Sequence, residues 1–398
     1  MDSGSIAWLL MASALVFLMT PGLAFFYGGL SRSRNVISTI MLSFMSIAVV
    51  SVVWVLWGYS LAFGEGNAYI GDLSLIGLKG IAPGDDMLFA VFQMMFAIIT
   101  PALITGAIVE RFKFTTYLVF LVIWITVVYA PIAHWVWAGN GWLLEMDALD
   151  FAGGTVVHIN AAVAAVAAAI LVGKRRSPGM EPANIPYVVI GASLLWFGWF
   201  GFNAGSGLAA DSVAINAFLV TNTAAATAAL TWGILSQVQN GKMSAAGVAT
   251  GAVGGLVAIT PAAGAVGVMG ALGVGLGAGL LCYAAVLLRP KIAIDDSLDV
   301  FAVHGVGGIW GAIATGIFTV SAFTGGIEGL IEGDASQLGV QIVAVLATIA
   351  YSFIVTFVIL KVLDVIPGMG LRVSEREEDQ GLDISAHGER AFVGDGAD

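Results

Sequence analysis

Eleven long apolar runs constrain this chain more than any other feature of its sequence. They cover approximately residues 6–29, 38–63, 86–109, 114–137, 152–172, 185–206, 213–238, 244–262, 265–288, 300–320 and 337–363. About 20 helical residues, each rising ~1.5 Å, cross the ~30 Å hydrocarbon core of a bilayer. Charged residues make up only 10% of the chain, against ~25% in soluble domains. The sequence therefore excludes a soluble globular fold and predicts an all-α polytopic membrane protein with eleven transmembrane helices.

The basic residues indicate how these helices are oriented. With the N-terminus outside and the loops alternating, fourteen of the fifteen Lys and Arg residues lie on the inner side and only Lys79 lies outside. This asymmetry follows the positive-inside rule, so we expect an external N-terminus and a cytoplasmic C-terminus. The first run is longer than the ~7–15 residues of a signal-peptide core and follows no basic segment. We therefore expect it to be retained as a transmembrane helix.

The number of runs predicts an inverted repeat. Eleven divides as five, five and one, and an odd number of helices per half means that the second five enter from the opposite face. Repeat one would cover about residues 6–172, repeat two about 185–320, and the eleventh helix about 337–363. Residues 1–363 would then form the transmembrane domain, and residues 364–398 a cytoplasmic regulatory tail.

Two histidines occupy equivalent positions of the predicted repeats. His158 follows Asp150 by eight residues, and His304 follows Asp296 by the same interval. If each Asp marks a membrane face, each His lies about 12 Å inward from its own side, so the imidazoles would meet near the midplane. Ionisable residues within spans are usually functional, although a single His can also be packing glue. Ligation of a haem iron is a further alternative, but the glycines beside both histidines favour close helix approach.

Aromatic residues form a stripe on segments three and six. Trp199, Phe202 and Ser206 share one helical face, and Phe92 and Phe96 are an i, i+4 pair. An indole face beside a hydroxyl, above a plug of phenyl rings, suits a small cation that sheds its water. Such stripes also occur in ordinary packing and as interfacial anchors.

Three motifs resemble the ammonium transporter (Amt/Mep/Rh) family and its Amt branch. Residues 150–160 read DFAGGTVVHIN, residues 198–206 read GWFGFNAGS, and residues 304–311 read HGVGGIWG. The similarity continues into the tail, where residues 370–374 read GLRVS and residues 381–388 read GLDISAHG. The resemblance implies a multi-pass protein of the cell membrane that transports ammonium or ammonia, with methylammonium as an analogue.

The resemblance also implies roles for individual residues. The implied groups are an outer ammonium site of Trp137, Ser206 and Phe92, a gate of Phe96 and Phe202, and pore histidines His158 and His304. Asp150 and Trp199 would support the site structurally, and Trp142 is an alternative for the outer tryptophan. The two imidazoles would share a hydrogen bond and relay protons.

The absence of deep carboxylates in the apolar runs favours transport of a neutral species. A bare ammonium ion would lose several kcal/mol of hydration in the hydrocarbon core. We therefore expect NH4+ to be recruited outside, deprotonated near the gate, and conducted as NH3, either with a separately relayed proton or without one. An ammonium sensor that signals through a cytoplasmic partner is the alternative function.

The remaining expectations concern partners and cofactors. The resemblance implies a homotrimer in the lipid bilayer, and a tail that packs on a neighbouring subunit and is available to a PII-type regulatory protein. The acidic composition of the tail is also typical of a solvated, disordered extension. We predict no enzyme activity, cofactor, metal site or nucleic-acid partner, because the sequence has no metal-ligand cluster, nucleotide loop or nucleophile beside a base. Cys282 lies alone in an apolar run and is typical of buried packing.

Overall fold

A computed structural model of the protein describes residues 1–178 and 181–392. Its main helices are α1 Ser3–Leu30, α2 Val36–Phe63, α3 Asp85–Thr105, α4 Phe114–Trp137, α5 Gly154–Val172, α6 Ile185–Gly207, α7 Ser212–Asn240, α8 Ala245–Ile259, α9 Val268–Lys291, α10 Phe301–Phe318 and α11 Ser336–Val365. In the described residues, ten of these are long and apolar enough to cross a membrane, and α8 is a shorter apolar helix. The predicted all-α fold is confirmed.

Short elements complete the chain. Single helical turns occur at Ile76–Leu78, Ser321–Thr324 and Leu330–Glu332. After α11 the tail forms α12, Glu375–Gln380, and α13, Leu382–His387.

Two predicted segments extend three or more residues past the C-terminal ends of the helices that form. Segment eight was expected to reach residue 262, but α8 ends at Ile259, just before Pro261, which lacks the N–H donor that would continue the helical hydrogen bonds. Segment three was expected to reach residue 109, but α3 ends at Thr105. The chain then turns through Glu110, which adopts a positive φ of 74°. Apolarity alone could not locate either end, since both turns are themselves largely apolar.

Close packing of small residues brings the first helices of the two predicted repeats together. Helix α1 makes its most extensive packing against α6. A methyl group on Gly191 would lie 2.3 Å from the main-chain nitrogen of Phe26, so the two backbones approach within a distance that no other residue allows. This is how helices associate where lipid removes the hydrophobic driving force.

Helices α5 and α10 share an unusual construction. Each begins with a π-helical turn, Gly154–Ile159 in α5 and Phe301–Gly305 in α10. Before each helix, the residue three positions after the aspartate has a positive φ. These residues are Gly153 (113°), after Asp150, and Asp299 (60°), after Asp296. The long helix α11 packs across both α5 and α10. The fifth helix of each predicted repeat thus begins with the same local structure, as an inverted repeat would require.

The described part of the tail packs on loops of its own chain that the sequence predicts to be cytoplasmic. The N–H of Val373 donates to the carbonyl of Arg111 at 3.0 Å, and the N–H of Arg176 donates to Glu378 Oε1 at 2.7 Å. Further along, Asp383 Oδ1 accepts the N–H of Ser38 at 2.8 Å, in the first turn of α2. Through residue 388 the tail is therefore a folded segment and not a solvated extension.

Candidate functional site

The two buried histidines meet in the centre of the helical bundle. His158 Nδ1 and His304 Nδ1 lie 3.2 Å apart, with the rings 21° from parallel and their centroids 5.3 Å apart. Both side chains are almost fully buried. A hydrogen bond between the two Nδ1 atoms requires that one ring donates while the other accepts. The prediction that the imidazoles meet is confirmed.

The same geometry argues against a haem between the histidines. Metal–imidazole bonds are about 2.0–2.1 Å long, so two axial ligands of one metal would hold their nitrogens about 4 Å apart. The facing nitrogens are instead in direct hydrogen-bonding contact at 3.2 Å. The pair is arranged to share a proton and not to enclose an iron.

Asp150 and Asp296 set the start of the two histidine-bearing helices. The carboxylate of Asp150 accepts the main-chain N–H groups of Gly153, Gly154, Thr155 and Val156, and the hydroxyl of Thr155 as well. Asp296 accepts the N–H groups of Val300 and Phe301 at 3.1 and 2.7 Å. These N–H groups have no partner within the helix, and the positive end of the helix dipole favours a carboxylate there. Each aspartate therefore fixes the π-helical turn that carries its histidine.

A stack of aromatic rings closes the passage on the outer side of the histidines. The rings of Phe96 and Phe202 lie 4.3 Å apart between centroids and 35° from parallel. Phe202 in turn stacks on His158 at 6.0 Å. Trp199 stacks on His158 at 5.3 Å and lies equally close to Phe202, and its indole N–H donates to Thr260 Oγ1 at 2.8 Å. The rings thus form a continuous plug above the imidazole pair.

A cavity of about 120 Å³ lies outside this plug. Phe92, Phe96, Trp137 and Ser206 line it together. The resemblance implies an outer site of Phe92, Trp137 and Ser206, with Phe96 in the gate. Trp137 is held by a 2.9 Å hydrogen bond from its indole N–H to the carbonyl of Asp150, and its ring stands 85° to that of Phe96.

The alternative tryptophan, Trp142, lies apart from this cavity. It packs against Trp135 at 5.8 Å and against Tyr69 at 6.5 Å between ring centroids. The structure therefore brings Trp137, and not Trp142, to the outer cavity.

Sequence reasoning missed four residues that also line the outer cavity: Phe89, Gln93, Phe151 and Leu208. Gln93 is 8% exposed, and no group among the described residues lies within hydrogen-bonding distance of its Oε1. A buried amide without a partner is costly, so it is a candidate to contact a polar ligand. Its signal in the sequence is a lone amide beside Phe92 in an otherwise apolar stretch of segment three.

Two further spaces adjoin the histidines: one holds the imidazole pair, and the other lies on the side that the sequence predicts to be cytoplasmic. The space around the imidazole pair, between Phe202 and His304, has a volume of only about 10 Å³ and is lined by apolar side chains apart from the two histidines and the indole of Trp199. A wider cavity of about 200 Å³ follows on the cytoplasmic side, and His304, Asp299 and Arg289 line it. Of these three spaces, the one lined by Asp299 and Arg289 is the largest and the one at the histidines is the smallest.

Buried charges surround the cytoplasmic mouth. Burial raises the pKa of Asp299 to about 7, although Arg289, whose Nε lies 3.0 Å away, acts against this rise. Asp295 is also partly buried, but hydrogen bonds from Arg175 outweigh burial and lower its pKa to about 2. Arg175 also pairs with Glu110 at 3.4 Å. The mouth thus holds one carboxyl group poised to titrate near neutrality among several fixed ion pairs.

The sequence as a whole matches one protein family. The profile of the Ammonium Transporter Family matches residues 7–392. The chain belongs to the ammonium transporter family. This makes it a transporter and not an enzyme.

Individual relatives are similar in sequence to this ammonium transporter along almost its full length. It is 49% identical to an ammonium transporter of Bacillus subtilis, over 98% of this chain and 99% of that protein. It is 48% identical to the ammonium transporter Amt1 of Archaeoglobus fulgidus, over 99% and 100% of the two chains.

Solved structures of similar proteins share the fold. The crystal structure of Mep2 from Saccharomyces cerevisiae superposes with a TM-score of 0.89 at 38% identity, covering 94% of this chain and 88% of that one. A structure titled Sensor Amt Protein superposes equally well, with a TM-score of 0.89 at 32% identity over 96% and 98% of the chains. The transporter is therefore a multi-pass membrane protein of the Amt/Mep fold.

Proposed function

We propose that this transporter recruits NH4+ in the outer cavity, removes one proton near the phenyl plug, and conducts NH3 past His158 and His304. The observation that carries the proposal is the imidazole pair, buried and joined Nδ1 to Nδ1 at 3.2 Å directly beneath a closed aromatic plug. Such a pair offers hydrogen-bonding partners to ammonia without placing a fixed charge in the membrane.

The outer cavity offers the two kinds of contact that an ammonium ion needs. The hydroxyl of Ser206 donates to the carbonyl of Phe202 at 2.8 Å, so its oxygen lone pairs remain available to accept an N–H of the ion. The aromatic faces of Trp137 and Phe92 supply cation–π attraction. Gln93 supplies a second polar group, since its amide carbonyl has no partner among the described residues.

The plug separates the charged and the neutral forms of the substrate. Phe96 and Phe202 are 1% and 0% exposed, and a charge moved into so apolar a space would lose its hydration without compensation. Neutral NH3 loses far less hydration free energy in the same space. The proton therefore leaves at or above the plug, and it returns outside or travels along the imidazoles.

His158 is suited to handle that proton. One of its nitrogens is bound to His304, and among the described residues no protein group lies within hydrogen-bonding distance of the other, Nε2. If a proton crosses separately, each turnover moves one charge, and the transport rate would respond to voltage by ~2.3 kcal/mol per charge per 100 mV.

The assembly and setting of the transporter also belong to this proposal. We place it in the plasma membrane as a homotrimer, with its tail at the cytoplasmic face available to a PII-type regulatory protein. The exposed apolar residues on α7, such as Ile215, Phe218 and Leu219, supply a surface that either lipid or a second copy can cover. A particle mass of three chains in mild detergent would support the trimer, and a mass of one chain would contradict it.

The proposal is tested by reconstituting the purified protein in liposomes and recording the charge displaced by an ammonium pulse, with potassium as control. We expect an ammonium-specific response, with methylammonium giving a smaller one. Internal pH is recorded in parallel, because electroneutral NH3 entry raises it without displacing charge. Silence in both recordings would reject transport and favour the ammonium sensor.

A double variant tests the imidazole role. His158→Leu combined with His304→Leu should abolish the proton-linked current, because leucine neither accepts nor donates a proton. Replacing His134, which is buried outside the passage between the carbonyls of Ala62 and Asn67, by Gln is the matched control. An undiminished electrogenic current in the double variant would show that the imidazoles do not relay the proton.

A further inference from the structure

A groove in the membrane-facing surface lies outside the proposed transport path. It has a volume of about 440 Å³ and is bounded by α9 and α11, with α5 and α10 forming its floor. Eleven of the thirteen residues that line it are apolar. Exposed apolar residues of the same two helices surround it, among them Leu281 (43% exposed) and Val358 (54% exposed). The groove therefore opens towards hydrocarbon.

The cytoplasmic end of this groove is basic. Arg289 lines the groove and ends the membrane-spanning part of α9, and Lys291 follows two residues later in an exposed position. By the positive-inside distribution of the chain, this end lies at the level of the inner headgroups. Basic pockets between transmembrane helices on the cytoplasmic side are suited to anionic lipid headgroups.

The one acidic residue that lines the groove is already neutralised locally. Both carboxylate oxygens of Asp296 accept main-chain N–H groups at the start of α10, where the helix dipole offsets a negative charge. Arg289 also donates to the carbonyls of Asp296 and Ser297, at 3.1 and 3.4 Å. Asp296 therefore does little to oppose the two cations at the rim, of which Arg289 also pairs with Asp299.

We propose that this groove binds one anionic phospholipid of the cytoplasmic leaflet, with an acyl chain between α9 and α11 and its phosphate at Arg289 and Lys291. Apolar walls match the chain, and the two cations match the phosphate. Zwitterionic lipids share the chain but not the net charge, so the site discriminates by headgroup. The proposal does not depend on how ammonium crosses.

Arg289 connects this site with the inner mouth of the passage. The same guanidinium lines the cytoplasmic cavity, where its Nε lies 3.0 Å from Asp299. A phosphate that draws Arg289 outward weakens this ion pair. Lipid binding and the charge of the inner mouth are therefore coupled through one side chain.

Native mass spectrometry of the delipidated protein tests the site. The protein is titrated with dioleoyl phosphatidylglycerol and, separately, with dioleoyl phosphatidylcholine. We expect one tight phosphatidylglycerol site, about tenfold tighter than the binding of phosphatidylcholine. Lys291→Ala should weaken it about fivefold. The control Lys242→Ala, at another exposed cytoplasmic position, should leave the affinity unchanged.

A second pair of variants tests the apolar part. Ala285 lines the groove, so Ala285→Phe should fill it and remove the tight site. Its neighbour Ala284 is exposed but does not line the groove, so Ala284→Phe is the matched control and should retain the site. If Ala285→Phe does not fold, the lipid titration of Lys291→Ala still shows whether the anionic lipid binds at this site.

Four results would overturn the proposal. They are equal affinity for the two lipids, an unchanged tight site in Lys291→Ala or in folded Ala285→Phe, displacement of the lipid by glycerol 3-phosphate alone, and loss of oligomer mass instead of lipid in Ala285→Phe. The third result would assign the rim to a free phosphate, and the fourth would make the groove a contact between two copies of this chain.

Discussion

At the scale of single residues, Asp150 and Asp296 hold the turns that carry His158 and His304. The eight-residue interval from each aspartate to its histidine was enough to predict that His158 and His304 meet. The family resemblance pointed to Trp137, which does line the outer cavity. Gln93 and Asp299 escaped notice because neither belongs to a recognisable pattern. Their importance arises from burial and from a positive φ, which depend on tertiary contacts.

Asp150 offers a direct test of the helix-start argument. Asp150→Asn places an amide N–H group opposite main-chain donors that now share one carboxylate. We expect a loss of about 2–3 kcal/mol of stability, since hydrogen bonds to a charged group are replaced and donors are left unpaired. The thermal midpoint in detergent measures this loss. Glu145→Gln, an exposed change in the same loop, should leave the midpoint unchanged, and an equal fall in both variants would contradict the assignment.

Asp299 predicts a pH dependence of stability. Its folded-state pKa of about 7 exceeds the ordinary value of 3.8, with burial as the largest cause. Between these two values the folded state holds a proton that the unfolded state releases, so Asp299 makes stability fall as pH rises from about 4 to 7. We expect Asp299→Asn to reduce the drop in thermal midpoint between pH 5 and pH 8. An unchanged or steeper drop in the variant would show that the carboxyl group titrates elsewhere.

At the scale of helices, apolar runs located the spans but not their internal geometry. The π-helical turns at Gly154–Ile159 and Phe301–Gly305 have no signature in hydropathy, because each adds one residue to a turn without changing its apolar character. The early end of α8 was visible only as Pro261. In the tail, Ser374 and Glu377 form a capping box, a local signal that a reading of the tail as merely acidic overlooks.

The docking of the tail depends on Glu378. Its buried carboxylate accepts the N–H of Arg176 at 2.7 Å and a guanidinium N–H of Arg372 at 2.6 Å. Glu378→Gln should release the tail, seen as faster limited proteolysis after Val365 and a lower ammonium flux in liposomes. The control Glu375→Gln changes a side chain that is 80% exposed, where an ion pair contributes little. Unchanged proteolysis in Glu378→Gln would reject this role, and deletion of residues 370–398 should lower flux without loss of assembly.

At the scale of the whole molecule, the charge asymmetry predicts the orientation. Helix α8 is short, but it packs against both α7 and α9, and the predicted alternation of loops counts it as a span. What the sequence could not supply is how the tail, the loop after α3 and the start of α10 converge on one surface. These contacts join residues far apart in sequence, such as Arg111 and Ser297, whose side chains lie 2.7 Å apart.

Labelling in intact cells tests the orientation. In a Cys282→Ala background, Lys79→Cys should react with a membrane-impermeant maleimide added outside, whereas Lys242→Cys should react only after the cells are opened. Both positions are exposed, so access to the reagent decides the outcome. The reverse pattern would invert the topology.

The narrowness of the space at the histidines has a consequence for the energy supply of the cell. A volume of about 10 Å³ beneath a closed ring stack holds about one water-sized molecule and no continuous column of them. Sodium therefore has no open, water-filled conduit through the protein, and a proton crosses only by way of the imidazoles. A cell can therefore hold many copies of it in its membrane without opening a leak in its sodium gradient.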